Sequence, residues 1–165
     1  MKKTIIVYGS STGMCEQIAQ TIGDKLGVSD IISVSDLTQD ALEGADNLLL
    51  GTSTWGAGDM QDEWYDGVNL LAKADLKGKT VAIFGCGDCC NFSDTFCGGM
   101  AGIYNAVKDK GINLIGKVST SGYTFDDSES VIDNEFVGLA LDDMNENHLT
   151  EQRINAWVEN IKNSL

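Results

Sequence analysis

Residues 4–26 read "TIIVYGSSTGMCEQIAQTIGDKL". The run Ile5-Ile6-Val7-Tyr8 is apolar without polar alternation, as expected of a strand covered on both faces. It stops at Gly9. From Gly13 onward, Ile18, Ile22 and Leu26 recur at helical spacing and share one face. Ser10, Ser11 and Thr12 lie between strand and helix. A short hydroxyl-rich turn that opens a helix offers amides, a helix dipole and side-chain donors to an anion. An ordinary strand-to-helix turn reads the same way when taken alone.

The pattern repeats. Apolar runs at 47–51 and 80–85 predict two more buried strands, and weaker strands are expected at 30–34 and 113–118. Helical stripes separate them. Trp64, Val68 and Leu71 form one; Phe96, Met100, Ile103 and Val107 another. The last holds Ile154, Trp157, Val158, Ile161 and Leu165, with Thr150 as its expected N-cap. Strands alternating with helices predict a doubly wound parallel sheet with right-handed crossovers. Ligands of such sheets bind beyond the carboxyl ends of the strands. The segments to inspect are therefore 9–15, 52–60 and 86–92.

The chain has 165 residues, 42% of them hydrophobic, which suits one globular domain spanning 1–165. Eleven Lys and Arg against 25 Asp and Glu give a net charge of −14. That balance argues against nucleic acid as a partner; it suits attraction to basic protein patches or solubility alone. The apolar run after the N-terminal lysines is too short for a signal peptide, and none is long enough to cross a bilayer. A cytoplasmic location with no membrane partner is expected. Cys15, Cys86, Cys89, Cys90 and Cys97 are odd in number, which argues against a disulfide framework.

The first segment lacks the lysine of a P-loop, and Ser11 and Met14 stand where a dinucleotide fingerprint needs glycine. A loop that holds phosphate without a cation suits a terminal monophosphate. The second, "TSTWGAGDMQDEW", places Trp55 at a strand end, where it could stack on a planar ligand or cover the core edge. Gly56 permits a peptide that can flip between offering N–H and C=O. The third, "GCGDCCNFSDTFCGG", adds Phe92 as a second aromatic surface and Asp88 for a heterocycle edge. Cys86, Cys89, Cys90 and Cys97 meet the count for a structural metal. However, Cys86 ends an expected buried strand, Cys97 falls in an expected helix, and no second Cys-x-x-Cys pair exists. A thioredoxin-like dithiol is disfavoured by position, so no metal and no catalytic residue are assigned.

Together these features resemble the flavodoxin family, in its long-chain branch, over almost the whole sequence. The marks are Gly9-Ser10-Ser11-Thr12-Gly13, Thr54-Trp55 and Phe84-Gly85-Cys86-Gly87-Asp88. They continue in Gly122-Tyr123-x-Phe125, Phe136-Val137-Gly138-Leu139-Ala140-Leu141-Asp142, and Leu149-Thr150 leading to Trp157-Val158. The resemblance implies an α/β three-layer sandwich with a five-stranded parallel sheet in the order 2-1-3-4-5. Residues 119–135 match the insertion that splits the fifth strand. A stretch this long without evident regular structure is often functional.

The resemblance also implies non-covalently bound FMN. Ser10, Ser11, Thr12, Gly13, Met14 and Cys15 would hold its phosphate. Ser53, Thr54, Trp55, Gly56, Gly58, Cys86, Gly87, Asp88, Phe92 and Cys97 would surround its ring. The implied function is low-potential one-electron transfer between redox proteins, on the semiquinone/hydroquinone couple, by a monomer and not an enzyme. On the first reduction the Gly56 carbonyl would turn toward flavin N5, and Asp59, Asp62, Glu63 and Asp88 would oppose further negative charge. The implied partners are a flavodoxin-NADP reductase and pyruvate or related oxidoreductases with basic docking patches. An FMN-dependent NAD(P)H:quinone reductase on the same fold is the alternative.

The chain departs from the family pattern at several positions. Met14-Cys15 replaces the usual Asn-Thr, removing a hydroxyl contact worth about 1 kcal/mol. Phe92 replaces Tyr, Ser53 replaces Pro, and Met144 stands where some members carry Asp. His148, the single histidine, is expected in solvent ahead of the last helix.

Overall fold

The computed structural model describes residues 3–10, 13–55 and 58–165. The main sheet contains β1 (Thr4–Gly9), β2 (Ile31–Ser33) and β3 (Asn47–Thr52). A short hairpin of β4 (Thr54–Trp55) and β5 (Asp59–Met60) follows. Then come β6 (Thr80–Cys86), β7 (Asn113–Ile115), β8 (Val118–Ser119), β9 (Val131–Ile132), β10 (Glu135–Phe136) and β11 (Leu139–Leu141). The helices are α1 (Met14–Leu26), α2 (Gln39–Gly44), α3 (Trp64–Lys73), α4 (Gly99–Val107) and α5 (Asn147–Ile161).

β2, β1, β3 and β6 lie side by side in parallel. Two short strands share the outer edge of β6. β7 pairs with its first half (Thr80–Ala82) and β11 with its second (Phe84–Cys86). They are the two halves of one fifth strand, so the order 2-1-3-4-5 with a split last strand is the observed one.

The absence of alternation in β1, β3 and β6 has a direct consequence. Successive side chains point to opposite faces, so each strand feeds two cores. Ile5, Val7, Leu48, Leu50, Val81 and Ile83 pack under α3 and α4. Ile6, Leu49, Ala82 and Phe84 pack under α1 and α5. The helical stripes supply the covers: Ile18 and Ile22 from α1, Trp157 and Ile161 from α5, and Trp64 and Leu71 from α3 are buried.

Several boundaries differ from the sequence expectations. The weak strand at 30–34 is shorter, because Val34 begins a 3-10 turn. The strand expected at 113–118 ends at Ile115. Gly116 adopts φ +81, and its carbonyl accepts from the Trp157 indole N–H at 2.8 Å. The space between the halves of the fifth strand is thus 116–138, wider than 119–135. It is also more ordered than expected: β8, β10 and β9 form a small antiparallel sheet.

Phe96 and Cys97 precede α4 instead of lying within it. Phe96 joins an aromatic cluster with Tyr123, Phe125 and Phe136, at centroid distances of 6.2, 5.5 and 5.9 Å. Thr150 does not cap α5, which begins three residues earlier; its hydroxyl donates to Asp143 Oδ1 at 2.8 Å. His148 therefore sits in the first turn of α5, and it is exposed.

Candidate cofactor site

The ends of β1, β3, β6 and β11 meet along one edge of the sheet, and a cavity of about 330 Å³ opens there. That volume is within the range of small-molecule sites. From the segment after β1, Met14 lines it. From the β3–β4 segment come Ser53, Thr54 and Trp55. From the segment after β6 come Cys86, Gly87, Asp88, Phe92, Thr95 and Cys97. Asp143 and Met144, beyond β11, complete the wall.

Nine of the sixteen expected site residues therefore line one cavity. Ser11, Thr12 and Gly56 lie outside the described residues. Ser10, Gly13, Cys15 and Gly58 do not line the cavity itself. Ser10 and Gly13 shape its edge: the Ser10 hydroxyl accepts from Gly13 N–H at 3.0 Å, and Gly13 takes φ +89. This left-handed turn is open to glycine without strain. It lets α1 start at Met14 with its first-turn amides facing outward, as at any helix N-terminus. The Cys15 side chain turns the other way. It is fully buried in the core beneath the sheet, and the neighbouring Cys86 thiol together with burial pushes its pKa well up.

The walls are aromatic and unusually bare. Trp55 is 43% exposed and Phe92 49% exposed. Large apolar side chains left open around a cavity mark a binding surface. Trp55 is anchored by its indole N–H, which donates to Ser53 Oγ at 2.8 Å. Thr54 Oγ1 accepts from the Gly99 N–H at the start of α4 (3.1 Å), tying this loop to the helix.

The floor is made by the residues ahead of α4. Cys97 is fully buried at φ +51, a left-handed conformation that costs a non-glycine residue energy. It is held from several sides. Its thiol donates to the Leu141 carbonyl at 3.6 Å, and its own carbonyl accepts from Ser130 Oγ at 2.7 Å. The Ser128 hydroxyl donates to the Phe96 carbonyl. The insertion thus braces the cavity floor from below.

Asp88 is bonded within the protein itself. Its carboxylate accepts from the N–H groups of Cys90 and Asn91 and from the side-chain amides of Asn91 and Asn145. These donors, led by the Asn91 backbone N–H, lower its pKa to about 2 against partial desolvation. The carboxylate is a fixed negative charge at the rim, already engaged by its own loop. The Gly87 N–H is also engaged, donating to the Leu141 carbonyl at 2.9 Å.

Among the described residues, Cys89, Asp142 and Glu146 bring possible metal ligands within 4.8 Å of one another. Their bonding points elsewhere. Burial and the Asp142 carboxylate push the Cys89 thiol up to about 12, so it keeps its proton and donates to Asp142. Glu146 pairs with Arg153 at 3.1 Å. All three groups are thus already bonded within the protein.

Thr95, Asp143 and Met144 line the cavity but are absent from the sequence-based set. The strand-end rule would have found Asp143 and Met144 had the end of the fifth strand been visible. Thr95 lies outside the segment that the rule selects and carries no local signal.

The comparisons with known proteins agree with this geometry. A family model described as flavodoxin matches residues 6–157. The chain is 38% identical over 168 residues to flavodoxin 1 of Salmonella typhimurium, covering 100% of this chain and 96% of that protein. It is 37% identical to the flavodoxin of Klebsiella pneumoniae over 163 residues, covering 97% and 93% respectively. Among solved structures, Fusobacterium nucleatum flavodoxin bound to flavin mononucleotide superimposes with a TM-score of 0.93 at 32% identity, covering 100% of this chain and 99% of that one. On the family match, the relatives and the shared fold, this chain belongs to the flavodoxin family.

Proposed function

We propose that the chain holds FMN non-covalently in this cavity and works as a low-potential carrier of single electrons between redox proteins. The observation that carries the reading is the bare aromatic pair, Trp55 and Phe92, flanking a cavity of about 330 Å³ beside the start of α1. A planar ring would cover both side chains, and a monophosphate suits outward amides with no lysine beside them. The residues present therefore fit the cofactor.

FMN, when bound, would supply reversible one-electron redox chemistry. The chain's residues position it. Ser10, Ser11 and Thr12, with the Met14 amide, would hold the phosphate, and Gly13 would shape the turn through its bond to Ser10. Cys15 contributes its backbone only, because its thiol is in the core. Trp55 and Phe92 would stack on the ring, Ser53, Thr54, Gly58, Cys86, Gly87 and Cys97 would shape its bed, and the Gly56 carbonyl would accept a ring hydrogen. Asp88 keeps negative charge at the ring edge and opposes further charge on the ring.

The acidic surface suits basic docking patches on partners, among them a flavodoxin-NADP reductase and pyruvate or related oxidoreductases. A cytoplasmic monomer of one domain, 1–165, fits this role; among the described residues no helix is long and apolar enough to cross a membrane. The family assignment does not favour the quinone-reductase alternative.

The purified protein should show flavin absorption bands. Flavin-free protein should quench FMN fluorescence at one FMN per chain. Replacing Phe92 with Ala should weaken binding about tenfold, the loss of roughly 1.4 kcal/mol of stacking. Absence of flavin bands together with no quenching would overturn the reading.

A further inference from the structure

Two loops wall the ring side of the cavity: the one after β6, carrying Gly87, Asp88 and Phe92, and the one after β11, carrying Asp143 and Met144. The residues that link them, Asp88 and Asn145, are 57 apart in sequence, and each loop holds a carboxylate bonded to the Asn145 amide. Asp88 belongs to the first loop, and Asp142, fully buried, opens the second. Two like charges this close repel one another, yet the structure brings them together across one side chain. The Asn145 amide nitrogen donates to Asp88 Oδ1 at 2.7 Å and to Asp142 Oδ2 at 3.0 Å and Oδ1 at 3.2 Å. Asn145 itself does not line the cavity.

We propose that Asn145 is a positioning residue for the cofactor site: its uncharged amide cross-links the two loops and fixes a pair of negative charges beside the ring pocket. This inference rests on the FMN reading above. The chemistry selects an amide. A lysine or arginine would also bridge two carboxylates but would cancel the charge. An aspartate of the same size would add a third negative charge. A residue without donors would remove the link between the two carboxylates and leave only the bonds that Cys89 makes to Asp142. The amide nitrogen carries two N–H groups, one for each carboxylate. Around this cross-link each loop is already shaped by its own carboxylate. Asp88 gathers the Cys90 and Asn91 N–H groups, and Asp142 gathers those of Met144 and Asn145. The Cys89 N–H adds a second bond between the loops, donating to Asp142 Oδ2 at 2.9 Å. Asn145 joins two preformed loops instead of building either one.

The test uses wild-type protein, Asn145→Ala and Asn145→Asp, each prepared with and without FMN. Asn145 is exposed, so both variants should fold. In the flavin-free protein the backbone ¹⁵N–¹H resonances of Cys90 and Asn91, which bond to Asp88, should move in both variants. The FMN dissociation constant should rise about three- to tenfold in Asn145→Ala, the loss expected for exposed hydrogen bonds to charged groups. It should rise at least as much in Asn145→Asp, because the isosteric residue fills the same space but repels. In the loaded protein, the midpoint potential of the lower one-electron couple should move upward in Asn145→Ala as the paired charges loosen. Unmoved Cys90 and Asn91 resonances with an unchanged dissociation constant in both variants would overturn the proposal. So would an Asn145→Asp variant that matches wild type while Asn145→Ala does not, since only packing would then be at stake. Wild-type protein that takes up no FMN would overturn the cofactor reading instead, and the flavin-free resonances would still decide the role of Asn145.

Discussion

Cys89 and Cys90 are neighbours in sequence and opposites in environment. Cys89 is partly buried beside Asp142, and burial with that carboxylate pushes its thiol up to about 12. Cys90 is exposed, while Cys15, Cys86 and Cys97 are buried. The thiolate is the reactive species, so a thiol held protonated or kept from solvent reacts slowly. A disulfide reagent at pH 8 should therefore modify one thiol per native chain quickly and the remaining four only on unfolding. Cys90→Ser should abolish the fast phase. A fast phase that survives in Cys90→Ser would show that Cys89 ionises, contrary to its bonding to Asp142. The sequence sets Cys86 at the end of a buried strand and Cys97 in a helix but does not separate Cys89 from Cys90. Their differences are set by tertiary neighbours such as Asp142, 53 residues away from Cys89.

At the scale of elements, what was legible in the sequence follows from burial. β1, β3 and β6 are covered on both faces, so their apolar runs are continuous and announce themselves. Each extends only one residue beyond its expected end. The halves of the fifth strand have three residues each, too few for any periodicity to show. Their pairing with β6 is a long-range fact. The N-cap at Thr150 looked sound locally but lost to a side-chain contact with Asp143. The positive φ of Cys97 was unreadable, because tight packing imposes it on a residue type that does not favour it.

The seam of the split strand is also where the backbone is least forgiving. A methyl group on Gly138, just before β11, would fall 2.0 Å from the Ile83 carbonyl oxygen of β6. Backbone cannot move aside as a side chain can. Gly138→Ala should cost about 3 kcal/mol or more in urea unfolding, the upper end of overpacking penalties. Gly44→Ala, at the open end of α2 with nothing within 4 Å, should change stability by less than about 1 kcal/mol. Equal losses at the two positions would mean that the close approach of β11 to β6 is not what requires glycine.

Over the whole molecule the dominant fact is charge. The chain carries −14, yet among the described residues only two ion pairs form, Arg153 with Glu146 and Lys162 with Glu159. Salt therefore screens mainly repulsion within the folded protein. Raising ionic strength from about 20 to 300 mM, across which the Debye length shrinks severalfold, should stabilise the flavin-free protein. A gain of about 1 kcal/mol would appear as a rise of roughly 2–4 °C in melting temperature for a chain of this size. The same field acts on ligands with opposite signs. FMN brings a negative phosphate to a negative surface, so its association rate should rise by roughly threefold or more over that range. A basic redox partner is attracted, so its association rate should fall over the same range. Measuring the two rates in one salt series isolates the field from any general effect of salt on folding, because folding would move both in the same direction. If both rates fall together, association is not governed by net charge, and the phosphate end must reach its loop through a locally positive path.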